Sequence, residues 1–290
     1  MKYNNFIVFI ISNGRPNDVK TYKTLKKRGY TGEICIVLDN LDTSQEEYKK
    51  NYPNEIIIFD KTEIAKKVDN GDNFNNLRTT THARNACFEI AKNLGYIYFI
   101  VLDDDYNGFR YRFINNTWLT MDSAPKGYTI NDLDGVFNIL LNFYKSVNVK
   151  SISMAQGGDF IGGESCGMIS NYLNLSRKCM NSFICSTERP FNFISRLNED
   201  VNTYLSLGSV GNLFLTIPFT GLEQEQTQKT EGGMTDAYLD GGTYIKSFYT
   251  VMYCPSFAKI SLMGVSKKRL HHSISWENAT PKILSEKHKK

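Results

Sequence analysis

The sequence is short of most features that would define a special class. Its first apolar run, Phe6 to Ile11, is too brief for a membrane span or a signal-peptide core, so a soluble, cytoplasmic protein with no membrane partner is expected. The six cysteines, Cys35, Cys87, Cys166, Cys179, Cys185 and Cys254, show no Cys-x-x-Cys spacing and no paired framework. That excludes a zinc ribbon or disulfide scaffold and reads as reduced, mostly buried thiols. With only 7 prolines and no Pro/Ser-rich linker, repeat or low-complexity stretch, nothing divides the chain. An excess of one sign of charge is also small, the formal net charge being +4.

What is present suits one sizeable folded unit. At 290 residues and 41% hydrophobic content the chain can bury a substantial core. The main charge asymmetry lies at the end, where Ser266 to Lys290 holds seven Lys/Arg against two Glu. Such a tail reads as a solvated terminus or a nucleic-acid contact.

The stretch Tyr96 to Tyr106, YIYFIVLDDDY, is the most informative. Its β-branched and aromatic residues suit a strand buried on both faces. It then ends in Asp103, Asp104 and Asp105. Three adjacent carboxylates repel one another, so the arrangement reads either as an acidic turn or as a cation site at a strand's carboxyl end, the edge where open α/β sheets bind ligands.

Along the chain, Phe6 to Ile11 reads as a first strand running into the turn Ser12-Asn13-Gly14-Arg15-Pro16, followed by a helix from Asp18 to Arg28. Glu33 to Leu38 is a second strand ending at Asp39; Thr43-Ser44-Gln45-Glu46 fits a capping box, and Glu55 to Phe59 is a third strand. Asn76 to Leu94 reads as an amphipathic helix with Ala83, Cys87, Ile90, Ala91 and Leu94 inside and Arg78 and Arg84 on the surface. Alternating strands and helices predict a parallel sheet with crossover helices over the first 106 residues.

The second half reads as mixed. A helix is expected over Thr129 to Ser146, a strand over Lys150 to Met154 and a Gly-rich loop over Gln156 to Gly167. Strands over Phe183 to Thr187 and Asn212 to Pro218 flank Glu199-Asp200, an acidic pair opening a short helix. After a polar stretch, Thr235 to Met252 reads as mostly helical, and Lys259 to Val265 as a strand leading into His271-His272.

A hard divalent ion held by few carboxylates keeps sites open for phosphate oxygens, which points to a diphosphate leaving group. A separate carboxylate would take the proton of an incoming hydroxyl. Glycosyl transfer needs both parts.

Here the sequence resembles a family. An apolar strand into Asp-x-Asp after a Rossmann-like half is similar to metal-dependent glycosyltransferases of the GT-A fold. The segments FIVFIISNGRPNDVKTYKTLKKRGYTG, THARNACFEIAKNLGY, YFIVLDDDY, LNEDVNTY and RLHHSISWENATPKIL together resemble the TET-associated, phage-encoded glycosyltransferases. The resemblance implies transfer of a sugar from a nucleoside diphosphate sugar, such as a UDP-sugar, to hydroxymethylated pyrimidines in DNA. It implies a single GT-A-like α/β domain, with 1–106 binding the nucleotide sugar, 107–258 the acceptor, and 259–290 forming a closing strand and basic tail.

Carried over by residue, the resemblance implies that Asp103 and Asp105 serve a Mn²⁺ or Mg²⁺ site and the donor, Asp105 being the first candidate as direct ligand. Asp104 touches the ribose or sugar. His271 or His272 completes the metal shell, the doublet leaving the choice open. Ser12, Gly14, Arg15 and Asp39 meet the nucleotide, Arg84 faces the base or diphosphate, and Lys282 reaches the diphosphate. Asp200 is the first choice as catalytic base, with Glu199 beside it and inversion as the outcome; Asp159 and Asp240 are candidates for acceptor binding. Each has a bland counterpart: a surface histidine, a helix-surface arginine, a solvated tail lysine, or acidic residues favouring a helix amino terminus. Two other functions stay open, transfer to a glycan, lipid or protein acceptor, and nucleotide or DNA binding without turnover. The intact acidic sets weigh against the second. If DNA is the substrate, Lys267, Lys268 and Arg269 are available for phosphate contacts.

Overall fold

The computed structural model describes residues 5–119, 128–156, 159, 179–224, 244–264, 268–279 and 286. Its strands are β1 (Phe6–Ile11), β2 (Glu33–Asp39), β3 (Ile56–Phe59), β4 (Tyr98–Asp103), β5 (Tyr106–Tyr111), β6 (Phe113–Ile114), β7 (Thr117–Trp118), β8 (Ser151–Gln156), β9 (Ser182–Ser186), β10 (Phe214–Gln224), β11 (Ala258–Met263) and β12 (Arg269–Ile274). Its helices are α1 (Lys20–Lys27), α2 (Gln45–Asn51), α3 (Lys61–Ala65), α4 (Thr81–Asn93), α5 (Leu133–Ser146), α6 (Glu199–Ser209), α7 (Ile245–Tyr253) and α8 (Trp276–Ala279).

Eight strands form one sheet in the order β3-β2-β1-β4-β9-β8-β10-β5. The first four are parallel, as the alternation of strands and helices requires. Beyond β4 the sheet is mixed: β9 is antiparallel to both β4 and β8, β10 is parallel to β8, and β5 is antiparallel to β10. The result is a Rossmann-like half continued by a mixed half in the same sheet, with the hairpins β6-β7 and β11-β12 as small accessory sheets.

Strand β1 shows why the sheet lies between two helical layers. All six of its residues are buried, and the period of two sends Phe6, Val8 and Ile10 to one face and Ile7, Phe9 and Ile11 to the other. The first face packs with Val19 and Leu25 near α1 and with Phe137, Leu140 and Tyr144 of α5. The second packs with Cys87 and Ala91 of α4 and with Val201, Tyr204 and Leu205 of α6. Each such buried side chain contributes roughly 1.5–3 kcal/mol. All five described cysteines are free thiols, and four of them are buried.

Several expectations are corrected. Helix α4 begins at Thr81, because Asn76 and Thr79 side chains accept from the Arg78 and Thr81 amides and compete with helical bonding. Its Leu94 is exposed, and Arg84, expected outside, is only 2% exposed. It shares the spacing i, i+3, i+7 with Cys87 and Ala91, and so lies on their face. The capping box before α2 does not form; Ser44 turns back to Asp42, its Oγ 2.5 Å from Oδ1. Helix α5 starts at Leu133 with Asp132 as its cap, accepting from the Gly135 amide at 2.9 Å. The histidine doublet lies inside β12, where His271 and His272 pair with Ser261 and Ile260. Helix α3, capped by Asp60, and strand β5 were not expected. Most of the Gly-rich loop after Gln156 and residues 235–243 of the expected late helix lie outside the described residues.

Candidate functional site

The carboxyl ends of β1, β2, β4, β8 and β10 share one edge with the beginnings of β5 and β9. The acidic residues stand at this edge. Asp103 ends β4, Asp104 and Asp105 form the turn, and Tyr106 opens β5. Helix α1 fixes the turn by its backbone. Thr21 Oγ1 donates to the Asp103 carbonyl at 2.6 Å and accepts from the Tyr106 amide at 2.9 Å, while the Thr21 amide donates to the Asp104 carbonyl at 3.1 Å. Thr24 Oγ1 donates to the Tyr106 carbonyl at 2.9 Å.

The three carboxylates then diverge. Asp104 is buried and faces the β1 exit loop, accepting from Ser12 Oγ at 2.5 Å and from Arg15 Nη1 at 2.9 Å. With the Ser12 proton given to Asp104, the Tyr48 hydroxyl is the donor in its 2.7 Å contact with Ser12, and it accepts the Arg15 amide at 2.8 Å. Burial pushes the Asp104 carboxyl up, and Arg15 and Ser12 oppose the shift. Gly14, at φ +69°, donates its amide to Asp42 at 2.9 Å. Asp39 is also buried and accepts from Asn13 Nδ2, the Leu41 amide and Lys61 Nζ, the last at 2.8 Å.

Asp105 is differently placed. Its Oδ2 accepts from Gln224 Nε2 at 3.3 Å, but Oδ1 is buried with no hydrogen-bond partner among the described residues. Burial and the neighbouring Asp104 push its carboxyl up to about 6. Burial likewise raises Asp103 to about 7 against the pull of Arg84, with Asp105 and Glu199 adding repulsion. Two carboxylates that resist ionisation, one with an orphaned oxygen, fit a hard divalent cation. Among the described residues no group of three His, Cys, Asp or Glu assembles as a metal shell. Asp103 and Asp105 are the two carboxylates here that could hold a cation, and a site of so few ligands leaves positions for water and phosphate oxygens.

Arg84 joins the turn to the second acidic set. Its Nη2 lies 3.0 Å from Asp103 Oδ1 and its Nε 3.3 Å from Glu199 Oε1. Glu199 also accepts from Thr80 Oγ1 at 2.8 Å. Asp200 Oδ1 accepts the Val201 amide at 2.7 Å, in the first turn of α6. Asn198, the left-handed residue before them, donates Nδ2 to Thr250 Oγ1 at 2.7 Å and has it 3.3 Å from His272 Nδ1. The histidine doublet therefore meets the site through Asn198, with His271 Nδ1 2.8 Å from the His272 carbonyl. Asp159 is buried and accepts the Gln156 amide at 2.8 Å. Asp240, Lys282 and Lys267 lie outside the described residues, while Lys268 and Arg269 are exposed.

A family model described as TET-Associated Glycosyltransferase matches residues 6–233. The chain belongs to that family. This TET-associated glycosyltransferase is accordingly an enzyme of sugar transfer, moving a sugar from a nucleotide donor to hydroxymethylated bases of DNA. No curated protein matches it. Among solved structures, glucosyl-3-phosphoglycerate synthase from Mycobacterium tuberculosis, with Mn²⁺, uridine diphosphate and phosphoglyceric acid, is similar at 8% identity and TM-score 0.48, over 94% of this chain and 87% of its own. S. aureus TarS 1-349 is similar at 12% identity and TM-score 0.43, over 87% of this chain and 66% of its own. No helix among the described residues is long and apolar enough to cross a membrane.

In the glycosyltransferase several residues at the edge carried no sequence signal strong enough to single them out. Thr21 and Thr24 are ordinary helix threonines until the turn packs on them. Gln224 joins Asp105 to Asn181, whose Nδ2 donates to Gln224 Oε1 at 2.9 Å, across a long sequence separation. His82 is fully buried, its Nε2 2.8 Å from Asn70 Oδ1 and its Nδ1 without a hydrogen-bond partner. Burial and the nearby Lys61 charge push it down to about 4. Its place at the start of α4 next to Thr81 was the available hint, because a helix amino terminus at a sheet's carboxyl edge points into the site.

Proposed function

We propose that the protein is a GT-A glycosyltransferase that uses a UDP-sugar and Mn²⁺ or Mg²⁺, inverts the anomeric centre, and acts in the cytoplasm on a hydroxymethylated pyrimidine of DNA. The observation that carries this reading is the divergent acidic turn, with Asp104 neutralised by Arg15 and the buried Asp105 Oδ1 left without a partner. Asp105 and Asp103 hold the cation, with His271 or His272 near the closing end. When bound, the cation stabilises negative charge on the departing diphosphate. Ser12, Gly14 and Arg15 line the donor's edge, with Asp104 and Asp39 holding Arg15 and Asn13 toward it. Asp200 takes the proton of the acceptor hydroxyl as the oxygen attacks, with Glu199 beside it, and Asp159 supports the acceptor side through the Gln156 backbone.

In this reading the chain is one catalytic domain, residues 1–106 binding the donor, 107–258 the acceptor, and 259–290 closing the site. The target base leaves the helical stack to reach Asp200. Purified protein, Mn²⁺ and a panel of nucleoside diphosphate sugars, incubated with hydroxymethylated or plain DNA, test it by mass spectrometry of the released nucleosides. Sugar on hydroxymethylated bases only, abolished by chelator, is the expected result. Transfer in chelator would remove the cation from the scheme, and modified plain DNA would remove the hydroxymethyl acceptor.

A further inference from the structure

The guanidinium of Arg84 is too well enclosed to act as its sequence position suggests. The residue is 2% exposed, and its guanidinium carbon lies 4.8 Å from the ring centre of Phe183 and 5.8 Å from that of Phe193. Both rings lie on one side of the guanidinium, and burial of the rest of the side chain leaves it almost no surface for a base or a diphosphate. Its charge is spent inside the protein, on Asp103 at the end of β4 and Glu199 at the start of α6. These are the inner members of the two acidic sets: Asp103 shares the cation with the outer Asp105, and Glu199 stands beside Asp200, which takes the acceptor proton. Among the described residues Nη1 and Nε have no hydrogen-bond partner, so the ion pairs hold the group in place without saturating it.

Removing this charge would leave Asp103 and Glu199 facing each other in a buried space with only Thr80 donating to Glu199. Their repulsion would move the first turn of α6, and Asp200 with it. An arginine suits the place because its planar fork spans two carboxylates, whereas an ammonium is a point charge.

We propose that Arg84 is a positioning residue which, through Asp103 and Glu199, sets the distance between the cation-and-donor end of the site and the base, touching neither donor nor acceptor. The proposal rests on the roles assigned above to the acidic sets. It places Arg84 behind the site wall.

Arg84→Lys and Arg84→Gln test it by calorimetry and by donor turnover. UDP binding without metal should stay within about twofold of the parent, because no donor contact is lost. Mn²⁺ binding to the protein alone should weaken about tenfold or more, the effect of disturbing a group that orients a ligand. Donor turnover should lose ~10²-fold in kcat with little change in KM, as expected of a misplaced base. Combined with Glu199→Gln, Arg84→Lys should cost clearly less in kcat than the two single losses multiplied, since both act through one pair.

A tenfold loss of metal-free UDP affinity would make Arg84 a donor ligand and overturn the proposal. So would a folded variant with parental Mn²⁺ affinity and kcat, or strictly multiplicative losses in the double variant. Should Arg84→Gln fail to fold, the charge-retaining Arg84→Lys decides by the same measures. The binding arms need no DNA, so failure of the parent to modify hydroxymethylated DNA would count against the acceptor reading alone. A parent that bound no Mn²⁺ would count against the metal assignment, with the double variant's donor turnover still deciding Arg84.

Discussion

The two acidic sets use the same residue chemistry in opposite ways. At Asp103 to Asp105 the backbone is immobilised first, by Thr21 and Thr24 of a neighbouring helix, and the side chains are then sent in different directions. At Glu199-Asp200 the backbone follows a left-handed Asn198 into a helix amino terminus, and the side chains are held by Arg84, Thr80 and the Val201 amide. The turn thus keeps carboxylates together against their repulsion, whereas the helix start stabilises negative charge by its own dipole. Crowding suits a cation's ligands; a single charge at a helix amino terminus suits a proton acceptor.

The largest effect that could break this contrast is expected from Asp105→Ala. Transfer should fall by ~10³-fold or more, the scale of several kcal/mol of lost charge stabilisation. The melting temperature in chelator should hold or rise, because one repulsive charge has gone from a turn fixed by its backbone. Activity near the parent's, or a collapsed fold, would show that the turn is structural. Next comes Asp200→Asn, which should lower transfer by ~10²–10⁴-fold while donor affinity measured by calorimetry stays within about twofold. An unchanged rate would return the base to Asp159 or Asp240.

A matched pair of hydroxyl deletions sharpens the comparison. Thr21→Val should cost about 1–3 kcal/mol in urea unfolding, because it orphans buried backbone groups of the acidic turn. Thr80→Val, at a half-buried site with one bond to Glu199, should cost about 1 kcal/mol or less. Equal costs would mean that the two sets are built alike. The last test concerns pH. His82 is held near 4, below its ordinary 6.5, so the unfolded chain binds the extra proton between those values. Its contribution is therefore intact above pH 6.5 and is lost as pH falls toward 4. His82→Gln should flatten that acid limb, by on the order of 2 kcal/mol at pH 4 compared with pH 7. An unchanged limb would mean that His82 is not held neutral by the fold.

The parallel half was legible because it uses the plainest signals. Runs such as Phe6 to Ile11 and Tyr98 to Leu102 have no reading other than buried strands, and the helices between them force parallel crossovers. The mixed half was not, since nothing local says that β9 runs against β4 or that β5 pairs with β10 across the sheet. The acidic residues announced themselves by being misplaced on apolar grounds. Their supports did not: Thr21, Asn181 and Gln224 are unremarkable where they stand in the chain, and their meaning comes from contacts across the fold. Arg84 reads as a surface charge in the sequence, yet its spacing of three and seven from Cys87 and Ala91 places it on their buried face.

The sheet order also says when the enzyme can come alive. Strand β5 follows the aspartates directly, yet among the described residues its strand partner in the sheet is β10, which ends at Gln224. A ribosome adding roughly 5–20 residues per second delivers that partner several seconds or more after the carboxylates have left the exit tunnel. Throughout that interval the nascent protein carries three adjacent aspartates and a strand whose partner has not been made. Stalled or truncated translation products ending before β10 would therefore be the forms that chaperones must hold and proteases must clear.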